Sequence, residues 1–293
     1  MSTYIIFDLD ETLGHFTQLG ILWESLQHVY RNELNQTYFN CICDLYPNFL
    51  RPSILTILRY LKSIKQKNKN LKIIVYTNNQ GPTSWCDNII SYLEHKIKYN
   101  LFDQIVYAYK INGKHIELNR TTHDKTYNDI KKCINCFSYD KICFIDDQYH
   151  PGMNNKNICY INVKPYNYNY DMNELINIFT ESECNVLICK NLHISNHENI
   201  NKKINNFVET YSFTSKLYND SESKIDKNIS KKILYYLHKF IKTYVIKSTS
   251  KKTVKKYKKK TVRTKKTRIK KQTNYNYEPE SESEFEPEFE PDP

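Results

Sequence analysis

The chain has 293 residues, of which 40% are hydrophobic, 26% charged and 14% aromatic, with 25 tyrosines; this is enough for one large domain or two ordinary ones, and it excludes a collagen, a mini-protein or a wholly disordered chain. The formal net charge of +11 is concentrated near the C-terminus: residues 247–271 hold 14 Lys or Arg and no acid, residues 278–293 hold 8 Asp or Glu and no base, and residues 1–246 carry only +5. No run approaches the roughly 18 apolar residues of a membrane span, and Asp8 and Asp10 fall where a secretory signal would stay apolar, so an intracellular protein, cytoplasmic or nuclear, with no membrane partner is expected.

In chain order, residues 4–9 (YIIFDL) predict a short apolar strand that ends on acids. Trp23, Leu26, Tyr30 and Leu34 follow a helical stripe, which reads as packing. Ile54, Leu55, Leu58 and Leu61 recur at helical spacing behind Pro52, a residue tolerated in a first helical turn. Residues 72–76 (KIIVY) predict a second strand, followed by the turn-like TNNQGP and a helix from Trp85 to Lys98. Residues 104–109 and 114–118 flank Asn112-Gly113, a hairpin signal. A helix is expected over 124–136, a third strand over 141–145 (KICFI) ending on Asp146-Asp147, and a fourth over 158–163. Residues 171–246 read as mostly helical. Beyond 247 neither the Lys-rich run nor the Glu-Pro-Ser tail can bury enough apolar surface to offset its ordering entropy, which predicts disorder.

Nine cysteines are spread from Cys41 to Cys189, several inside apolar runs where a free thiol acts as a small hydrophobe. Cys133 and Cys136 make a lone CxxC with no second pair at zinc-site spacing, so buried thiols in a reducing compartment are expected.

Apolar strands alternating with helices predict an α/β fold with a parallel sheet covered on both faces, whose binding crevice lies at the carboxyl ends of the strands. Three of the strands end in polar clusters: Asp8-Leu9-Asp10-Glu11-Thr12, Thr77-Asn78-Asn79 and Asp146-Asp147. In a parallel sheet these three clusters meet. Asp8 and Asp10, two apart on an extended exit, can face one point, one as nucleophile toward phosphorus and the other holding a proton for the leaving oxygen. Carboxylates crowded against a phosphate call for a counter-cation; Mg²⁺ suits such a site, with Asp146 and Asp147 as further ligands. Thr77 offers a hydroxyl to a phosphate oxygen, and Asn78 beside it is a second phosphate-binding candidate. Lys125, at the start of the helix before the third strand, is placed to offset charge on the transferring group; Lys110, Lys114 and Arg120 are the competing cations.

Asp8-Leu9-Asp10-Glu11-Thr12-Leu13 resembles the first motif (DxDxT) of the haloacid dehalogenase superfamily, in the DLDETL form of the FCP/SCP (NLI-interacting-factor-like) phosphatases. Thr77 is similar to the second motif, Lys125 to the third-motif lysine, Asp146-Asp147 to the acidic fourth motif, and Arg51-Pro52 to the family's Arg-Pro between the first two. The resemblance spans residues 4–165 and implies a Rossmann-like fold with a small cap or none, and a phosphatase of protein phosphoserine and phosphothreonine. Asp8 would become the aspartyl-phosphate and Asp10 would be general acid, then base. Thr77 and Lys125 would hold the phosphoryl oxygens, and Mg²⁺ would be bound by Asp8, Asp10 through its backbone carbonyl, and Asp146 or Asp147. Two departures stand out: Asp147 replaces the family's usual Asn, and Thr77-Asn78-Asn79 replaces its usual Thr-Ala-Ser.

The expected organisation is therefore a phosphatase domain over 1–165, a helical extension over 166–246 and a disordered basic, then acidic, tail over 247–293. The inserts available over the site are small, and an open site suits a phosphoprotein better than a small metabolite that must be enclosed. A polynucleotide or small-molecule phosphatase, and a catalytically retired scaffold, are the alternatives. The Lys/Arg-rich run 247–271 is suited to bind nucleic acid or an import receptor.

Overall fold

The computed structural model describes residues 2–194, 198–211 and 218–246. The tail expected to be disordered and to carry a nucleic-acid or import partner lies outside them. Five strands, β1 (Thr3–Phe7), β2 (Leu71–Tyr76), β3 (Gln104–Val106), β6 (Lys141–Asp146) and β7 (Ile158–Asn162), form one sheet in the order β3-β2-β1-β6-β7, parallel at every pairing. Two further strands, β4 (Lys110–Ile111) and β5 (Lys114–His115), make a separate antiparallel hairpin. The expected α/β fold with a parallel sheet and helices on both faces is therefore present.

The sheet's two faces read directly off strand alternation. Ile5, Phe7, Ile73, Val75, Cys143 and Ile145 point into one core, and Tyr4, Ile6, Ile74, Tyr76, Ile142 and Phe144 into a second. The first core is covered by α1 (Thr17–Val29), α2 (Gln36–Leu45), α3 (Ile54–Lys67) and α4 (Thr83–Ile97), which place Leu22, Phe39, Leu58 and Leu93 there. It also receives α6 (Met172–Thr180), α7 (Glu183–Asn191), α8 (Glu198–Val208) and α9 (Asp220–Ile241), through Phe179, Ile188, Ile204 and Leu237. The second core is covered by α5 (Tyr127–Cys133) through Ile130 and Cys133. Each such fully buried aliphatic or aromatic side chain contributes about 1.5–3 kcal/mol relative to exposure. Residues beyond 165 thus share the first core, and the described residues belong to one compact unit, Met1–Ser250.

Three local expectations differ from the structure. Gln104–Val106 does not join the hairpin but extends the main sheet beside β2; the hairpin keeps only two residues per strand around Asn112 and Gly113, both at positive φ. The helix expected over 124–136 is shorter, because the Thr126 side chain caps it by accepting from the Asp129 N–H. Lys125 therefore lies in the loop ahead of α5 and not within it. Pro52 precedes α3, whose N-cap is Ser53.

The stripe Trp23, Leu26, Tyr30 and Leu34 is buried, as expected of packing. All nine cysteines are free, and Cys133 and Cys136 are buried in the second core. Among the described residues no helix is long and apolar enough to cross a membrane.

Candidate active site

The register of the three central strands sets the site. Phe7 stands opposite Val75 on one side and Ile145 on the other, so Asp8 after β1 and Asp146 closing β6 leave the sheet at one level, and Thr77 leaves β2 one residue further on. The strand order departs in opposite directions on either side of β1, and ligand crevices open at such a switch point.

The Asp8 N–H donates to the Ile145 carbonyl at 2.9 Å, which ties the start of the loop to β6. The loop then turns through Glu11, at φ 55°. Arg51 holds this turn from behind. Buried to 1% exposure, its guanidinium donates to the carbonyls of Thr12 at 2.7 Å, Glu11 at 2.5 Å and Lys164 at 2.9 Å. Three carbonyls leaving the sheet thus share one planar donor fork. Gly14 completes the turn at a close approach: a Cβ there would meet the Phe49 carbonyl oxygen at 2.4 Å.

The Lys125 ammonium is buried between Asp8 and Asp146, donating to Asp8 Oδ1 and, at 2.7 Å, to Asp146 Oδ2. Of the four candidate cations it alone makes this contact; Lys110 and Lys114 sit on the β4–β5 hairpin. Gly152 allows the Lys125 loop to pack closely, since a Cβ there would come within 3.0 Å of the Lys125 carbonyl. Asp146 Oδ1 accepts from the Gln148 N–H at 2.8 Å, and His150 Nε2 lies 3.5 Å from Oδ2. Thr12 and Asp147 lock together, the hydroxyl donating to the carboxylate and accepting from the Asp147 N–H, both at 3.0 Å.

Asp8, Asp146 and Asp147 bring carboxylate oxygens within 4.8 Å of one another. Burial pushes the Asp8 carboxyl well above its ordinary range, with Lys125 pulling down and Asp146 pushing up. Asp147 is raised by burial and by Asp146. Burial acts upward on Asp146 too, but His150 and Lys125 outweigh it and hold Asp146 below the usual value. One ammonium facing three carboxylates leaves negative charge uncompensated, and an all-oxygen donor set of this kind fits a hard divalent cation.

Asp10 stands apart from that set. Its Oδ2 accepts from the Asn79 side-chain amide at 2.9 Å, and burial raises its pKa against the pull of Asn79. Thr77 is buried, and its hydroxyl accepts from the Asn79 N–H at 2.9 Å, keeping its own proton to donate. The Asn78 side-chain oxygen is taken by Arg120 Nη2 at 2.6 Å, while Arg120 Nη1 holds the Thr77 carbonyl at 3.0 Å.

The structure therefore brings Asp8, Lys125, Asp146 and Asp147 together, with Asp10 and Thr77 on the adjoining strand exits. Sequence reasoning gave no role to Asn79, Thr12 or His150, and named Arg120 only as a rival to Lys125. Asn79 was adjacent to Thr77 and Asn78 in the same polar cluster. The partners of Arg120 give no periodic signal.

The family whose model matches the chain is described as NLI interacting factor-like phosphatase, and the match runs over residues 3–193, from β1 through α7. No curated protein and no solved structure matches it.

Proposed function

Because the chain belongs to the NLI interacting factor-like phosphatase family, and is thus a hydrolase of phosphoric monoesters, we propose that it works through an aspartyl-phosphate on Asp8, needs Mg²⁺, and acts on phosphoserine or phosphothreonine in proteins. The observation that carries this is the division of labour between the two motif-one carboxylates. Asp8 is buried against Lys125 beside Asp146 and Asp147, whereas Asp10 is turned away onto Asn79.

In the first half-reaction an Asp8 oxygen attacks phosphorus, the bond from phosphorus to the ester oxygen breaks, and Asp10 gives that oxygen its proton. In the second, Asp10 takes a proton from water, the water oxygen attacks phosphorus, and the bond to Asp8 breaks to release inorganic phosphate. Lys125 and the Thr77 hydroxyl offset charge on the phosphoryl oxygens. Asp8, Asp146 and Asp147, with the Asp10 carbonyl, would hold Mg²⁺, which when bound neutralises the carboxylates and the incoming phosphate. Lys125 keeps Asp8 in reach of phosphorus, and Arg51 fixes the turn that carries Asp10.

The test is phosphate release from an aryl phosphate with and without Mg²⁺, in wild type and Asp8→Asn. Activity that requires metal and is lost in the variant is the expected result. Full activity in Asp8→Asn would remove Asp8 as nucleophile, and full activity in EDTA would remove the metal requirement. The Lys/Arg run 247–271 we propose as a separate nucleic-acid or import element, tested by salt-dependent retention on RNA.

A further inference from the structure

Beyond Asp10 the site opens into a groove of about 690 Å³. Its lining includes Ile21, Trp23 and Glu24 of α1, Pro82 and Trp85 at the entry to α4, and Asp10 and Asn79 of the site. Phe39 packs edge-on against both indoles from below, with ring centroids 4.9 Å from Trp23 and 5.6 Å from Trp85. Among the described residues, the charged ones lining the groove are Asp10, Glu11 and Glu24, with no Lys or Arg. Glu24 is exposed and oriented by the Tyr211 hydroxyl, which donates to it at 3.1 Å.

An ester oxygen that receives its proton from Asp10 must lie against that carboxyl, so whatever the phosphate is attached to continues into this groove. The volume is of the order that takes a drug-sized group, far more than one serine side chain needs. Its walls are aromatic and aliphatic and its charge is of one sign. A polynucleotide would place its remaining phosphates against Glu11 and Glu24, with no lining cation among the described residues to meet them. A peptide offering apolar side chains to the indoles and an ammonium or guanidinium to Glu24 is complementary on both counts.

We propose that this groove is the docking surface for the segment flanking the phosphorylated residue, and that it selects segments in which that residue neighbours Lys or Arg together with apolar side chains. The inference rests on the phosphatase reading for its placement of the substrate, but it can fail alone.

The chain has two tryptophans, and both line the groove, so indole emission of the full-length protein reports binding there without any turnover. The basic run 247–271 contains no tryptophan and emits no indole fluorescence of its own. Three unphosphorylated probes of equal length are titrated: a peptide of Lys, Arg and Leu, a peptide of Asp, Glu and Leu, and an oligothymidylate. The expected result is an emission change with the basic peptide at a Kd about tenfold or more below that of the acidic one. That change weakens as ionic strength rises. Glu24→Gln reduces the preference and Glu24→Lys abolishes it, and both replacements are at an exposed position that folding tolerates. Equal affinity for the two peptides, an emission change with oligothymidylate alone, no change with any probe, or a preference untouched by Glu24→Lys would each overturn the proposal. Failure of aryl phosphate hydrolysis with the peptide preference intact would instead remove the phosphatase reading and leave the groove assignment standing.

Discussion

Lys125 and Asp146, 21 residues apart, are joined by a 2.7 Å hydrogen bond in the interior, and the same ammonium also holds Asp8. One cation thus separates two buried carboxylates that would otherwise repel each other without solvent screening. Lys125→Met leaves both uncompensated and is expected to cost about 3–5 kcal/mol in metal-free buffer. Adding Mg²⁺ should recover part of that loss, because a divalent cation meets the same carboxylates. Denaturant unfolding with and without Mg²⁺ measures it, and Mg²⁺ that stabilises neither wild type nor variant would mean that no cation binds there. Aryl phosphate turnover should fall by about 10²-fold or more.

Asn79 and Asp10 give a prediction with a sign. Burial raises the Asp10 pKa, and the amide donated by Asn79 pulls it back by stabilising the carboxylate. In the proposed mechanism Asp10 must be protonated to release a poor leaving group, so its ionisation sets the alkaline limb of kcat/KM. Removing the donor in Asn79→Ala favours the protonated acid, and the limb should move to higher pH. The substrate should be a phosphoserine peptide, since an aryl leaving group needs little acid assistance. A limb that stays put or moves down contradicts Asp10 as the acid.

What the sequence made legible was the sheet's long buried strands. β1, β2 and β6 are largely buried apolar runs, β7 is an apolar but half-exposed edge strand, and the polar residues that end the first three mark the site because parallel strands share one exit. β3 was assigned to the hairpin because three residues, Gln104–Val106, are too few to show which sheet they join beside the stronger Asn112-Gly113 turn signal. The helix at Lys125 was overextended because the Thr126 cap was not weighed against the periodicity that follows it. Contacts from polar side chains to distant backbone were invisible. Arg51 reaches Thr12, Glu11 and Lys164, positions 39, 40 and 113 residues away, and no spacing rule announces such a fork. The groove beside Asp10 was hidden for a related reason: Trp23 read as core, which it is, but one edge of it also faces the cavity.

Burial lowers the Arg51 pKa, and the negative charge of Asp226 on α9 does most to restore it. Asp226 is itself buried and accepts from the Tyr218 hydroxyl at 2.8 Å, while Ser230 one turn on donates to the Pro52 carbonyl at 2.5 Å. A helix outside residues 3–193 thus braces the turn that carries Asp10. Arg51→Lys keeps the charge but loses the fork, and should destabilise by about 2–4 kcal/mol through carbonyls left without donors. Asp226→Ala should lower both stability and kcat, with little change in KM for an aryl phosphate. Unfolding curves and steady-state kinetics distinguish these effects, and a wild-type kcat in Asp226→Ala would show that α9 does not support the loop.

Asp103 begins the turn into β3, where its Oδ2 accepts from Lys65 at 2.7 Å and from the Ile73 N–H at 2.8 Å, and its Oδ1 from Lys72 at 2.9 Å. Burial pushes its pKa up, but these donors together outweigh burial and hold it below the ordinary 3.8. A carboxyl whose folded pKa is depressed adds stability well above its unfolded value, and that stability is lost as pH falls through the folded one. Asp103→Asn should therefore cost about 1 kcal/mol near neutrality, a modest figure because the carboxylate and Lys72 are partly solvated and screened. The difference between variant and wild type should hold steady from pH 7 down toward 5, then shrink through the acid range below 3.8. Urea unfolding at a series of pH values measures it. A difference that is the same at pH 7 and at pH 3 would assign the loss to packing or to the Ile73 hydrogen bond instead of the charge.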